Sequence, residues 1–422
     1  MADASTLETE IRDLCVRARK AARSLAPRDT AVKNDALTRI AAHLRANASV
    51  ILAANAEDLK TAEGKGLRGA MLDRLMLDAG RLEAIAKSVE EVRSLPDPVG
   101  ELVSESVRPN GLRVRRVRVP LGVIAMVYEA RPNVTVEASS LALKTGNAVV
   151  LRGGSEAIHS NRALAACVSA GLRDVGLPEH AVQLVPFTDR DAVRVLVRQT
   201  ETVDLAIPRG GEALIHFVTE HARVPVVQHY KGVCHAYLDR GCDLEKAIAI
   251  VENAKLQRPG VCNALECLLV DASDAERVLP PLAARLMAAG CELRGCPRAC
   301  ALVPGMVAAK ADDWGKEFLD LVLAVRVVDG MDGALSHIAD YGSGHTEAIV
   351  TPSAANAARF RAEVDAACVA VNASTRFHDG GQMGLGAEIG IATSRLHWRG
   401  PMGLESLTTM KWILDGDGHV RG

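Results

Sequence analysis

Apolar residues recur three and four positions apart through most of the first 95 residues, as in Ala36 to Ala46 and Leu82 to Val92, and this spacing predicts a helical N-terminal region. Met1 to Leu25 shares it, with Asp, Glu, Arg and Lys interspersed. That reads as a helix of the mature protein, because a secretory leader needs a continuous apolar stretch. Pro96-Asp97-Pro98 ends the region. Leu112 to Val119 then alternates, Pro120-Leu121-Gly122 turns, and Val123 to Tyr128 is uniformly apolar, as in a strand buried on both faces. Beyond it, helices at about Thr135 to Leu143, Asn161 to Ala170 and Asp191 to Arg198 alternate with strands Ala148 to Leu151, Val182 to Val185 and Val203 to Ile207. Strand and helix in turn imply right-handed crossovers and a parallel sheet. Val226 to Tyr237 opens a second region, with a helix at Leu244 to Lys255 and strands at Ile349 to Thr351 and Val369 to Val371. Leu407 to Leu414 reads as a final strand and Asp415 to Arg421 as a tail.

Composition narrows the class. A chain of 422 residues is longer than one core usually organises, so two or three domains are expected. Aromatics are 3% against 48% hydrophobic residues, which leaves the core to Ala, Val, Leu and Ile. The 50 basic and 52 acidic side chains are spread without blocks, an unfavourable footprint for nucleic acid or an anionic membrane. The densest basic stretch, Arg108 to Arg118, alternates with Val and Leu and reads as a solvated sheet edge. No segment approaches the ~20 apolar residues that cross a bilayer. Ten cysteines are too sparse for a disulfide scaffold, so a cytoplasmic setting is expected. Cys291, Cys296 and Cys300 lack the paired spacing and the neighbouring His of a zinc set, and no metal is expected.

In a parallel α/β sheet, helix N-termini at the carboxyl ends of strands offer N–H groups to phosphate. Two strand-to-helix loops qualify here: Arg152-Gly153-Gly154-Ser155, where Arg152 and Ser155 suit a cofactor phosphate, and Pro208-Arg209-Gly210-Gly211. Neither is a G-x-G-x-x-G fingerprint, and a plain turn is the alternative for each. Further on, Pro259-Gly260 breaks a helix and leaves Cys262 on a short loop near Lys255 and Arg258, where backbone N–H groups and a cation favour a thiolate. A buried, inert cysteine is the competing reading. His345, on a Gly-rich loop, reads as a solvated turn residue.

Arg258-Pro259-Gly260-Val261-Cys262-Asn263, Tyr128-Glu129-Ala130-Arg131-Pro132-Asn133-Val134-Thr135, Asn372-Ala373-Ser374-Thr375-Arg376-Phe377, Gly384-Leu385-Gly386-Ala387-Glu388-Ile389-Gly390 and Arg399-Gly400-Pro401-Met402-Gly403-Leu404-Glu405 occur in that set over nearly the whole chain. Together they resemble the γ-glutamyl phosphate reductases (glutamate-5-semialdehyde dehydrogenases) of the aldehyde dehydrogenase superfamily. The resemblance implies an α/β fold with a Rossmann-type cofactor domain (1–228, of which 107–119 joins a β-strand oligomerisation arm), an α/β catalytic domain (229–385), and a return segment with an oligomerisation strand (386–422). It implies NADPH/NADP as cofactor, held by Arg152 to Ser155 and Pro208 to Gly211. Glu317 stands where the superfamily often places a carboxylate on the nicotinamide ribose, a surface helix position being the other reading. Cys262 is implied as nucleophile, the Cys262 N–H and Asn133 as oxyanion donors, and L-glutamyl 5-phosphate as substrate, in the second step of proline synthesis. Arg131, Lys255, Arg258, Asn263 and Arg376 are the expected substrate ligands, since Arg in particular suits carboxylate and phosphate. A functional link to glutamate 5-kinase and a homo-oligomer, dimer or tetramer, are expected as well. Where hydrolytic relatives carry a water-activating Glu, Gln228 to Cys234 contains no carboxylate, which suits reduction. Another acylating or ordinary aldehyde dehydrogenase, and a binding protein that kept the fold, are the competing classes.

Overall fold

In the computed structural model, which describes residues 4–227 and 231–421, the apolar run Val123–Tyr128 lies inside a four-stranded parallel sheet. The strand order is Val182–Leu184, Ala148–Gly153, Val123–Tyr128, Leu205–Arg209. Both central strands are buried at every position, which is why they read as continuous apolar runs rather than alternating ones. One face packs on helices Ala4–Leu25, Arg190–Leu196 and Glu212–His221 through residues such as Ile11, Val193 and Val218. Helices Asn133–Lys144 and Ile158–Asp174, with Thr30–Ala46 and Ala79–Ser94 packed against them, form the other layer.

The strand expected at 203–207 starts two residues later. The Asp204 carboxylate takes the Val123 N–H at 2.7 Å while pairing with Arg19 at 2.8 Å, so the ladder begins at Leu205. Pro208 falls inside this strand rather than after it; the strand is an edge, where a missing N–H costs little.

Arg113–Pro120 pairs antiparallel with Thr408–Asp415. It is not a sheet edge, however. Leu102–Val107 pairs along its other side, so the basic strand is central. Its arginines meet carboxylates across and beside the ladder, Arg118 with Glu101 and Glu405 (2.7 Å each) and Arg115 with Asp415 (2.8 Å).

This first unit takes in the chain to position 228 together with 385–390 and 402–422; the second takes in 229–384 and 391–401. The segment 386–422 is thus divided between the two rather than standing alone. The second unit is built on a seven-stranded, all-parallel sheet ordered Val307–Ala308, Glu292–Gly295, Val322–Val328, Leu265–Asp271, Cys234–Leu238, Thr346–Val350, Cys368–Val371. Helices Leu244–Leu256 and Ala275–Ala288 cover one face, and Gly330–Tyr341 and Ala354–Glu363 the other.

Candidate active site

In the first unit, strands Val123–Tyr128 and Leu205–Arg209 lie side by side although the chain winds outward through the other two strands before returning. This is a topological switch point, the usual place for a nucleotide in an open α/β sheet. A cavity of about 150 Å³ opens there, at the carboxyl ends of the strands, lined by Glu129, Arg152, Gly154, Ser155, Glu156 and Arg190 among others. Its walls require the two glycine loops. A Cβ on Gly154 would sit 2.1 Å from Glu156 Oε1, and one on Gly210 would sit 2.5 Å from Glu129 Oε2. Those carboxylates are fixed by backbone: Gly211 N–H donates to Glu129 at 3.0 Å, and Ala130 N–H, at a φ of 42°, donates to Glu156 at 2.5 Å. Tyr128, Thr135 and Asn161 are linked in a buried hydrogen-bonded row beneath, at 2.7 and 3.0 Å.

Arg152 lines the cavity but is only 6% exposed. Its Nη2 donates to the carbonyls of Thr188 and Asp189, Nε has no partner, and burial lowers its pKa against the pull of Glu156 and Glu129. Arg152 therefore tethers the loop after strand Val182–Leu184. That loop presents Arg190, exposed and over the Phe217 ring, a cation the sequence reading passed over because nothing in its spacing marks it. Asn133, at the start of helix Asn133–Lys144, donates from its amide to Glu137 at 2.8 Å. Arg131, half-buried, precedes it on the turn.

In the second unit the nucleophile candidate lies at the amino end of the central strand, just before Leu265–Asp271. Cys262 is half-buried on a tight turn closed by Ala264 N–H to Val261 O at 3.0 Å. Its carbonyl accepts from the thiol of Cys234 at 3.2 Å, and burial holds Cys234 well above the usual thiol range, so that residue stays a donor. Gly232 presses on the same turn: a Cβ there would stand 2.0 Å from the Cys262 carbonyl oxygen. Gly232 N–H is held by Glu317 at 3.0 Å. Glu317 occupies a loop, not the helix surface that was its alternative.

Asn263 is 3% exposed; its amide donates to His378 O and its own carbonyl accepts from Thr375, so it locks the turn and does not present its side chain to solvent. Lys255 is corrected more strongly. Its ammonium is fully buried, 2.7 Å from the buried Glu266 carboxylate, and has no path to a substrate. Arg258 is exposed and Arg376 half-buried, donating to Gln257 at 3.0 Å; burial lowers the Arg376 pKa, with Arg258 and Cys262 both within its electrostatic reach. His345 is corrected too: it is fully buried, in a row running from Cys234 through His345 and Thr346 to His378 at 3.7, 2.7 and 2.7 Å. Burial pushes His378 down to about 4, which keeps it neutral at physiological pH. Of the stretch without a carboxylate, Gln228, His229 and Tyr230 lie outside the described residues.

Residues 3–293 match the model of the aldehyde dehydrogenase family. The chain is 60% identical to a gamma-glutamyl phosphate reductase of Sorangium cellulosum, over 98% of both chains. A gamma-glutamyl phosphate reductase of Desulfatibacillum aliphaticivorans is 54% identical, over 97% of this chain and 98% of its own. The crystal structure of a gamma-glutamyl phosphate reductase from Thermotoga maritima matches with a TM-score of 0.96 at 46% identity, covering 98% of this chain and 100% of that one. Identity at this level over nearly the full length, on the same fold, makes this chain a member of the γ-glutamyl phosphate reductase family within the aldehyde dehydrogenases.

Proposed function

We propose that the chain reduces L-glutamyl 5-phosphate to L-glutamate 5-semialdehyde and phosphate in proline synthesis, with NADPH as reductant and Cys262 as nucleophile. The carrying observation is the Cys262 turn, held through its carbonyl by the Cys234 thiol and pressed along its backbone by Gly232.

Family membership implies a nicotinamide cofactor, and the first unit's cavity suits one: glycine-walled, at a switch point, with an unpartnered buried nitrogen on Arg152. Glu129 and Glu156 suit ribose hydroxyls, Ser155 and the loop N–H groups suit phosphate, and Arg190 suits the extra phosphate of the NADP form. Pro208 and Arg209 carry the second loop, and Glu317 a ribose contact. When bound, the nicotinamide supplies the hydride.

Cys262 Sγ attacks the acyl carbon, and the C–O bond to phosphate breaks with its electron pair leaving on phosphate. The Cys262 N–H and the Asn133 amide donate to the oxyanion. After reduction the C–S bond breaks, the carbonyl re-forms and the thiolate is restored. Arg258 and Arg376, with Arg131, bind the anionic groups of the substrate. The lack of a carboxylate between Gln228 and Cys234 protects the thioester from water. An acyl phosphate is short-lived, which argues for a functional link to glutamate 5-kinase in the cytoplasm. The arm sheet, with Trp412 and Leu414 more than 60% exposed, is the proposed contact in a homodimer or tetramer.

The test is consumption of NADPH on substrate generated in situ by a glutamate kinase. Oxidation of simple aldehydes with no such consumption would remove the substrate assignment. Arg190→Ala is expected to raise the KM for NADPH about 10- to 100-fold, the worth of a charge-assisted contact, while leaving that for NADH nearly unchanged. Equal effects on both cofactors would move the extra phosphate elsewhere. Gly232→Ala, by displacing the Cys262 backbone, is expected to lower kcat about 100-fold with cofactor affinity retained. A parental kcat would mean that the turn tolerates the methyl group.

A further inference from the structure

We propose that His235 Nε2, Cys267 Sγ and His337 Nε2 form a zinc site inside the second unit. The proposal stands apart from the reaction above. Among the described residues these three donors, all buried, are the His/Cys/Asp/Glu set whose ligand atoms lie within 4.8 Å of one another. His235 and Cys267 are direct partners on adjacent strands, and His337 comes down on them from helix Gly330–Tyr341. A tetrahedral zinc, with Zn–S about 2.3 Å and Zn–N about 2.0–2.1 Å, sets neighbouring ligand atoms roughly 3.3–3.6 Å apart. Cys267 Sγ and His337 Nε2 are 3.5 Å apart, so one edge of that tetrahedron already has its length.

The surroundings of His235 carry the argument furthest. On the third adjacent strand, Glu347 stands opposite His235 and accepts from its Nδ1 at 2.9 Å. This is the carboxylate–histidine arrangement that orients a metal-binding imidazole and leaves the other nitrogen to the metal. That other nitrogen, Nε2, is fully buried and has no hydrogen-bond partner. A buried polar atom left without a partner is costly, and here it faces a thiol and a second imidazole. Charges balance as well: Zn²⁺, the Cys267 thiolate and the Glu347 carboxylate sum to zero.

Entry is through His337. A cavity of about 220 Å³ reaches it, lined also by Arg326, Asp329, Ser336, Asp340 and Tyr341. Arg326 donates to His337 Nδ1 at 3.0 Å, which places the ring proton on Nε2. On binding, that proton moves to Nδ1, Arg326 turns to the cavity aspartates, and Zn²⁺ displaces the Cys267 proton to solvent. A water from the cavity completes four ligands. The cysteines at 291, 296 and 300 do not compete as a set: Cys296 accepts from Val327 N–H and Cys300 donates to Gly295 O.

The experiment is a cobalt(II) titration of the full chain, chelator-treated and reduced, in a Cys262→Ser background that removes the reactive thiol. The expected result is saturation at one equivalent, with intense tetrahedral visible bands and a thiolate-to-cobalt charge-transfer band, all lost on adding one equivalent of zinc(II). Cys267→Ser in that background should abolish the charge-transfer band. Glu347→Gln should weaken zinc binding about 10- to 100-fold. Arg326→Gln should tighten it, because the amide oxygen can accept from Nδ1–H. No charge-transfer band at one equivalent, or a band that survives Cys267→Ser, would overturn the proposal and leave the three side chains as a hydrogen-bonded core.

Discussion

Cys262→Ala is expected to lower NADPH-dependent reduction of γ-glutamyl phosphate by at least about 10⁴-fold, the usual scale for losing a covalent nucleophile. Cofactor affinity should stay within a few fold, because the cavity is lined by residues of the first unit whereas Cys262 belongs to the second. The pair of measurements is steady-state turnover and a fluorescence titration with NADPH. Loss of both together would indicate damage to the fold, and residual turnover near the parent rate would refute the covalent route. Alkylation of the parent at Cys262, slowed by cofactor, would separate an enzyme from a binding protein that merely kept the architecture.

Lys255→Met should cost more stability than any surface change, and it should do so in a pH-dependent way. Lys255 and Glu266 are both buried, and removing one member of such a pair costs about 3–5 kcal/mol through the charge left behind. Burial pushes the Glu266 carboxyl up to about 7, against the pull of Lys255 and of the Leu319 N–H. Because the folded chain holds that proton more tightly than the unfolded chain, Glu266 contributes most below its ordinary value of 4.5, and this contribution is lost as pH rises through 7. Without the ammonium the window extends upward. The variant should therefore lose about 3–5 kcal/mol at pH 8 but only about 1–2 kcal/mol at pH 5, where the carboxyl is neutral. Urea denaturation at the two pH values reads the difference directly, and equal losses would discard the ion-pair argument. Activity should suffer as well. Glu266 holds Leu319, and Glu317 on the same loop holds Gly232, which presses on the Cys262 turn. Lys255 is thus a positioning residue.

Much of the fold was legible because its parallel strands are buried on both faces and announce themselves as apolar runs; Val123–Tyr128 was readable to the residue. Strand ends were less so where a side chain replaces a ladder bond, as Asp204 does at Val123. Alternation along Arg113–Pro120 correctly gave a strand but not its place in the sheet, because the exposed partner Leu102–Val107 carries no clear period. At the site, the Cys262 turn and both glycine loops were marked by Pro and Gly. Lys255 was misread because its partner, Glu266, lies eleven positions on, across the turn, and nothing local reveals that both are buried. Cys234, His345, Arg190 and the His235, Cys267, His337 group share this difficulty: their partners come together only once the strands are stacked.

The central position of Arg113–Pro120 in the arm has a consequence for the newborn polypeptide. Its partner Thr408–Asp415 is made only after the whole second unit. At about 5–20 residues per second, one side of the basic strand waits roughly 15–60 s without its neighbour. During that interval its arginines keep the open ladder charged and repel identical copies emerging from the same message.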